Sequence, residues 1–184
     1  MRTAIDPASA SRWLALSPED LLRACKQSRY QGSGPGGQKR NRVYSGIRLV
    51  HEPSGLSIEA DARRESRRNL EDALHRLRLE LALSVSALPV PGAVPEGVDA
   101  SGLEASPAFT SPVFRAQVSP THADFPIFAL RAVYFLDRHR GQAAAAAQAM
   151  GCTASTLARF LKTDKALWTR AREIREAHGL HPLK

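Results

Sequence analysis

The chain is short of cysteine, aromatic residues and long apolar runs, and each shortage excludes something. Its two cysteines, Cys25 and Cys152, stand alone. They match no metal-ligand spacing and no disulfide framework, so a reducing cytosol is the expected compartment. The six histidines are scattered through the 184 residues; none belongs to a catalytic or ligand cluster, and neither a metal nor a cofactor is expected. No apolar run reaches the roughly 18 residues of a membrane helix. Met1–Trp13 has no apolar stretch of the secretory kind, and Asp6 and its brevity argue against a mitochondrial leader despite Arg2 and Arg12. Aromatics make up 6% and hydrophobic residues 43%, which suits a modest core and one or two small domains. Acidic residues are also short, 18 against 26 Lys and Arg, for a net charge of +8. That excess points to an acidic polymer as partner, or at its plainest to solubility.

The charge is unevenly placed. Residues 1–83 carry a net +5, residues 84–124 a net −3, and residues 125–184 a net +6. The middle stretch is rich in Pro, Gly, Ser and Ala and has no periodicity. A structureless segment of that length is improbable inside one domain, so it reads as a linker between two basic modules.

In the first module, Ser17-Pro18-Glu19-Asp20 is a helix start: a capping serine, a proline at the first helical position and an acid three residues after the cap. The helix should end near Cys25. A polar stretch, Lys26-Gln27-Ser28-Arg29, leads into Gly32-Ser33-Gly34-Pro35-Gly36-Gly37-Gln38. Val43–His51 reads as a strand, Pro53-Ser54-Gly55 as a turn and Leu56–Ala60 as the returning strand. Residues 65–83 follow helical spacing, with Leu70, Ala73, Leu74, Leu77 and Leu81 on one stripe. A small sheet with one helix laid across it is the natural packing.

Three readings of the glycine run compete. It contains a G-x-G-x-x-G string, but that fingerprint needs a buried strand before it and a helix at its third glycine. Here a polar stretch precedes and a charged stretch then a strand follow, and Pro35 lacks the N–H that a phosphate cradle uses. A plain turn is the second reading, since glycine takes positive φ without steric cost.

The third comes from resemblance. Gly34-Pro35-Gly36-Gly37-Gln38 followed by Asn41-Arg42 resembles the Gly-Gly-Gln loop of class I peptide-chain release factors. Ser45-x-x-Arg48-Leu49, His51-x-Pro53-Ser54-Gly55, Glu59, Arg64 and Asn69 continue the similarity, which covers about residues 28–82. Lys39, Arg40 and the Arg63–Arg68 cluster are more basic than the family pattern. The resemblance implies an α+β domain, a small antiparallel or mixed sheet with a packed helix; the helical spacing of residues 125–184, outside the resemblance, adds a separate all-α C-terminal module and makes the whole chain α+β. It implies hydrolysis of the peptidyl-tRNA ester on the ribosome, with Gly36, Gly37 and Gln38 as the catalytic residues. An amide is no useful base near neutral pH. By family analogy the Gln38 main-chain N–H stabilises the transition state and its side chain positions the water. Lys39, Arg40, Asn41, Arg42, Arg48, Arg63, Arg64, Arg67 and Arg68 become RNA contacts that position without reading sequence. The partners implied are large-subunit rRNA, peptidyl-tRNA and a glutamine methyltransferase acting on Gln38, with the chain a monomer and no membrane involved.

About 31 residues precede the loop, leaving no room for a codon-reading domain, so the expectation is a short ribosome-rescue relative. Alternatives are a non-catalytic ribosome- or RNA-binding factor, a stop-codon-dependent factor, or a DNA binder using the second module. In that module Phe125–Arg140, Gln142–Met150, Thr153–Leu161 and Lys165–His178 read as helices separated by Gly141, Gly151 and a Thr163-Asp164 cap. The middle pair resembles a helix-turn-helix, with Ala147 four before Gly151 and with Met150, Cys152, Leu157 and Phe160 at the packing positions. Ser155, Thr156, Arg159 and Lys162 would then lie on or beside the outer face of the second helix as possible RNA contacts. A four-helix bundle with a merely basic surface is the plain alternative.

Overall fold

The computed structural model describes residues 4–31, 44–86 and 118–181. Among them are seven helices and one three-stranded antiparallel sheet, the α+β composition expected. Two compact units share the chain: one spans Leu16–Glu80, and the other joins Met1–Ala15 to Leu81–Lys184.

The first unit opens with α2 (Pro18–Arg23), following α1 (Pro7–Ala15) of the other unit. Ser17 caps α2: its Oγ accepts the Asp20 N–H at 3.1 Å and donates to Asp20 Oδ2 at 2.8 Å. Strand β1 (Cys25–Tyr30) pairs with β2 (Gly46–His51), which pairs with β3 (Leu56–Ala60) across a turn closed by Gly55 at φ +70°. The 18-residue α3 (Ser66–Leu83) follows. The core of this unit is Ile47, Leu49, Ala60 and Ala73, flanked by Leu22, Cys25, Ile58, Leu70 and Leu74. Two expectations are corrected. The stretch Lys26–Arg29 is part of a strand, an exposed edge strand whose faces are both polar and so show no alternation. The strand expected over 43–51 begins at Gly46; Val43 lies outside the described residues.

The second unit is built on α4 (Phe125–Arg138), which is buried from Ala129 through Asp137 without a polar face. Helices α5 (Ala143–Ala149), α6 (Ala154–Leu161) and α7 (Lys165–Ala177) surround it. Phe125 meets Phe160 with ring centroids 5.3 Å apart. Here α1 also packs on α4, and Ile5 forms a parallel bridge with Val85. Helix α1 has a start signal, Asp6-Pro7, whose carboxylate accepts the Ser9 N–H at 2.9 Å. The division expected at residues 83 and 124 therefore differs from these units. The apolar residues Ile5, Ala10, Leu14, Leu83 and Val85 are buried within the helical unit, because a helix as apolar as α4 must be covered on every side. Of the expected linker, residues 87–117 lie outside the described residues.

Candidate functional site

The chain leaves the sheet at Tyr30 and re-enters it at Gly46, and these two residues are paired partners. The segment that carries Gly36, Gly37 and Gln38, together with Lys39, Arg40, Asn41 and Arg42, joins them and lies outside the described residues. The frame that holds its two ends is described in full.

Gly46 is there because nothing larger fits. A Cβ at this position would stand 2.9 Å from both Tyr30 Cζ and the Tyr30 carbonyl oxygen, closer than packed atoms tolerate. Tyr30 is thereby seated on the Gly46 backbone. The Arg48 guanidinium lies 5.9 Å from the Tyr30 ring centroid, within cation–π range. Arg48 also pairs with Glu59 directly opposite on β3, with Nη2 to Oε1 at 2.6 Å and Nε to Oε1 at 2.7 Å. Desolvation raises the Tyr30 phenol pKa, and the nearby Asp61 and Glu59 carboxylates add to the shift. The stem is thus a layered contact: tyrosine on glycine, arginine beside tyrosine, glutamate on arginine.

Asn69 fixes the re-entry from below. It is completely buried in α3. Its Nδ2 donates to Ser45 O at 2.7 Å and Arg63 O at 2.9 Å, and its Oδ1 accepts the Arg63 N–H at 2.8 Å. One amide therefore ties the residue preceding β2 to the bend that precedes α3. An amide is the right group because it donates twice and accepts at once. Sequence reasoning placed Asn69 by resemblance only; its buried contacts supply the physical reason.

The arginine cluster is an exposed face on which three members carry an acidic partner. Arg63 pairs with Asp72 at 3.2 Å, Arg67 with Glu71 at 3.3 Å and Arg68 with Glu65 at 3.2 Å. Arg64 is exposed and has no ion pair among the described residues. Arg63 and Arg64 sit in the bend before α3, and Arg67 and Arg68 in its first turn, which holds no acid. The positive end of the helix dipole adds to theirs. Arg76 and Arg78, further along, donate to backbone carbonyls of Glu59 and Leu16 instead. Exposed pairs of this kind are worth little to stability, so these arginines remain available to exchange a carboxylate for a phosphate.

In the helical unit, Ser155, Arg159 and Lys162 are exposed on α6 and at its C-cap. Thr156 is engaged in the helix cap instead. Its N–H donates to Thr153 Oγ1 at 3.2 Å, and its hydroxyl lies 2.8 Å from that oxygen. Cys152 is half-buried and beside the buried Arg131; desolvation raises its thiol pKa, against the pull of that cation. Among the described residues, no cluster of His, Cys, Asp and Glu could hold a metal ion.

A three-stranded antiparallel sheet backed by one long helix, with a glycine-rich connection between paired strands, defines a small α+β domain built around a loop. Residues 18–87 match the RF-1 domain family, less than half of the chain. Over 73 residues the chain is 36% identical to an uncharacterized mitochondrial peptide chain release factor-like protein of Saccharomyces cerevisiae, covering 40% of this chain and 47% of that protein. It is 38% identical over 66 residues to peptide chain release factor 2 of Lactiplantibacillus plantarum, covering 36% of this chain and 16% of that protein. It is 41% identical over 56 residues to peptide chain release factor 1 of Amoebophilus asiaticus, covering 30% of this chain and 16% of that protein. The matches therefore span about half of the yeast relative and a small part of the two release factors. No solved structure matches the chain at significance. The resemblance drawn from the glycine run and its sequel is borne out for the first unit.

Proposed function

We propose that the chain is a ribosome-dependent peptidyl-tRNA hydrolase of the release-factor type that acts without reading a codon, on stalled ribosomes or on large subunits carrying peptidyl-tRNA. One observation carries the reading: within the RF-1 match, Gly36-Gly37-Gln38 connects two strands whose ends are held in register at Tyr30 and Gly46. A loop on so fixed a stem can be delivered into a confined, anionic site.

Ester hydrolysis needs water at the carbonyl carbon, a donor for the oxyanion and a proton for the departing 3′-hydroxyl. The Gln38 N–H serves as the donor, and its amide side chain admits and orients water while excluding larger nucleophiles. Gly36 and Gly37 leave no Cβ between the backbone and the tRNA end. Ribosomal RNA supplies the rest of the site. Arg48, Arg64, Arg67 and Arg68 contact its phosphates, and Gln38 is a fitting substrate for a glutamine methyltransferase.

The test is peptide release from purified ribosomes stalled on truncated mRNA. Wild type releases peptide, and Gln38→Ala and Gly37→Ala fall by about 10²–10³ in rate, the worth of one oxyanion donor. No release by wild type, or undiminished release by both variants, overturns the reading. A stop codon in the empty site should leave the rate unchanged.

A further inference from the structure

We propose that α5, the turn after it and α6 form a docking surface for RNA backbone, with Ser155, Arg159 and Lys162 as its contact stripe. The RNA is that of the ribosome on which the RF-1 domain is proposed to act, so the inference rests on that reading.

Local structure builds the surface. Helix α5 ends at Ala149, and Gly151 turns the chain at φ +69°. The Cys152 N–H returns to Ala147 O at 2.9 Å, and Thr153 caps α6. Ala146, Ala147 and Met150 on one side and Leu157, Phe160 and Leu161 on the other are buried. This is the helix-turn-helix arrangement, in which the first helix braces the second so that its outer face is presented. Ser155, Arg159 and Lys162 stand at i, i+4 and i+7, one line along that outer face. Leu157, Phe160 and Leu161 occupy the opposite side.

Charge selects the partner. From Arg138 to Thr163 the chain has four cations and no acidic residue. Arg159 has no ion pair among the described residues. The Lys162 ammonium lies 5.4 Å from the Trp168 ring centroid, which restrains it without neutralising it. A line of hydroxyl, guanidinium and ammonium suits successive phosphates and a 2′-hydroxyl. The deep major groove of an RNA helix is closed to side chains, so contact falls on the backbone and fixes position without reading sequence. Two phosphate contacts alone bind weakly. They become useful when a second domain of the same chain already holds the same partner and raises the effective concentration. That tether favours ribosomal RNA over DNA.

The experiment measures binding of the full chain to purified ribosomes across a salt series. The variants are Arg159→Gln/Lys162→Gln, Ser155→Glu and the charge-conserving Arg159→Lys, each checked for unchanged helicity. The double variant should lose about tenfold in affinity, and its log K against log salt slope should shrink by roughly 1.4–1.8, the share of two phosphates. Ser155→Glu should weaken binding, and Arg159→Lys should retain it. Unchanged affinity and slope in the double variant, with wild type bound, overturns the inference and leaves the release-factor reading standing. Failure of wild type to bind ribosomes overturns both. Displacement from ribosomes by duplex DNA more readily than by ribosomal RNA overturns the assignment to RNA.

Discussion

The two units solve opposite problems. Leu16–Glu80 has a small apolar core, in which Ile47, Leu49, Ala60 and Ala73 cluster and Leu21 and Leu77 are also buried, and the buried Asn69 amide adds polar ties to it. The helical unit wraps a helix buried through Ala129–Asp137, Arg131 and Asp137 included, and carries Arg159 and Lys162 on an outer face. The difference teaches where each can be damaged. In the sheet unit the loop and its frame are the product, and a change there alters the proposed chemistry before it alters folding. In the helical unit a core change alters folding first, and only the outer stripe can be altered without that cost.

The largest expected effect sits in the loop itself. Gln38→Ala should reduce release by about 10²–10³ while leaving the thermal midpoint within a degree or two of wild type. If the midpoint falls with the rate, the loop contributes to folding and the contrast between the units blurs. Leu130→Ala in α4 should do the reverse. Its side chain is completely buried, and truncation there costs about 2–5 kcal/mol, read by urea unfolding. Deleting the helical module is a poorer probe, since it would strip cover from Ile5, Leu14, Leu83 and Val85, all buried in that unit.

Asn69→Ala sharpens the comparison. It strands the Ser45 carbonyl and the Arg63 N–H and carbonyl, at about 1–3 kcal/mol for each group left buried and unpaired. It should also lower release at temperatures where the variant is still folded, because the loop's return point loses its anchor. Gly46→Ala attacks the same frame from the other side. The new Cβ meets Tyr30 ring and backbone at 2.9 Å, and overpacking of this kind costs about 1–3 kcal/mol. Tyr30→Ala in the same chain should restore only part of that loss, since the carbonyl contact remains. Full restoration would assign the crowding to the ring alone.

Much of this frame was legible in the sequence, and what was not has particular causes. The Ser17-Pro18 cap, the Gly55 turn, β3 and the length of α3 follow from local chemistry that tertiary packing does not override. So do the starts at Thr153 and Asp164, whose side chains accept the expected N–H groups. Strand β1 was hidden because an exposed edge strand of Lys, Gln, Ser and Arg needs no apolar face. Helix α1 was hidden because nine residues with three buried positions give too little periodicity. Arg131 and Asp137 are buried on α4 although charged; Asp137 is 3.2 Å from the Ser86 hydroxyl and 3.4 Å from His178 Nε2. No sequence pattern announces a partner 41 or 51 residues away. For the proposed site, the catalytic residues were legible as a motif, while the Tyr30–Gly46 seat and the Asn69 anchor become reasons only in the folded geometry.

The smallest effect concerns pH, and it belongs to the sheet unit. His51 lies completely buried at the end of β2, with Nδ1 2.7 Å from Ser54 Oγ. Burial holds its pKa below the ordinary 6.5, since the charged imidazolium is the form that desolvation penalises. Below pH 6.5 the unfolded chain therefore binds a proton that the folded chain refuses. Stability from this group is complete above that pH and is lost as pH falls from there toward the folded value, at no more than about 1.4 kcal/mol per pH unit. Unfolding followed at pH 7.5 and 5.5 should show the sheet unit weakening on acidification. His51→Asn keeps an amide where Nδ1 stood and removes the titration. It should lower stability at pH 7.5, where the ring's packing is lost, yet flatten the slope between the two values. An unchanged slope would overturn the assignment of the acid sensitivity to His51.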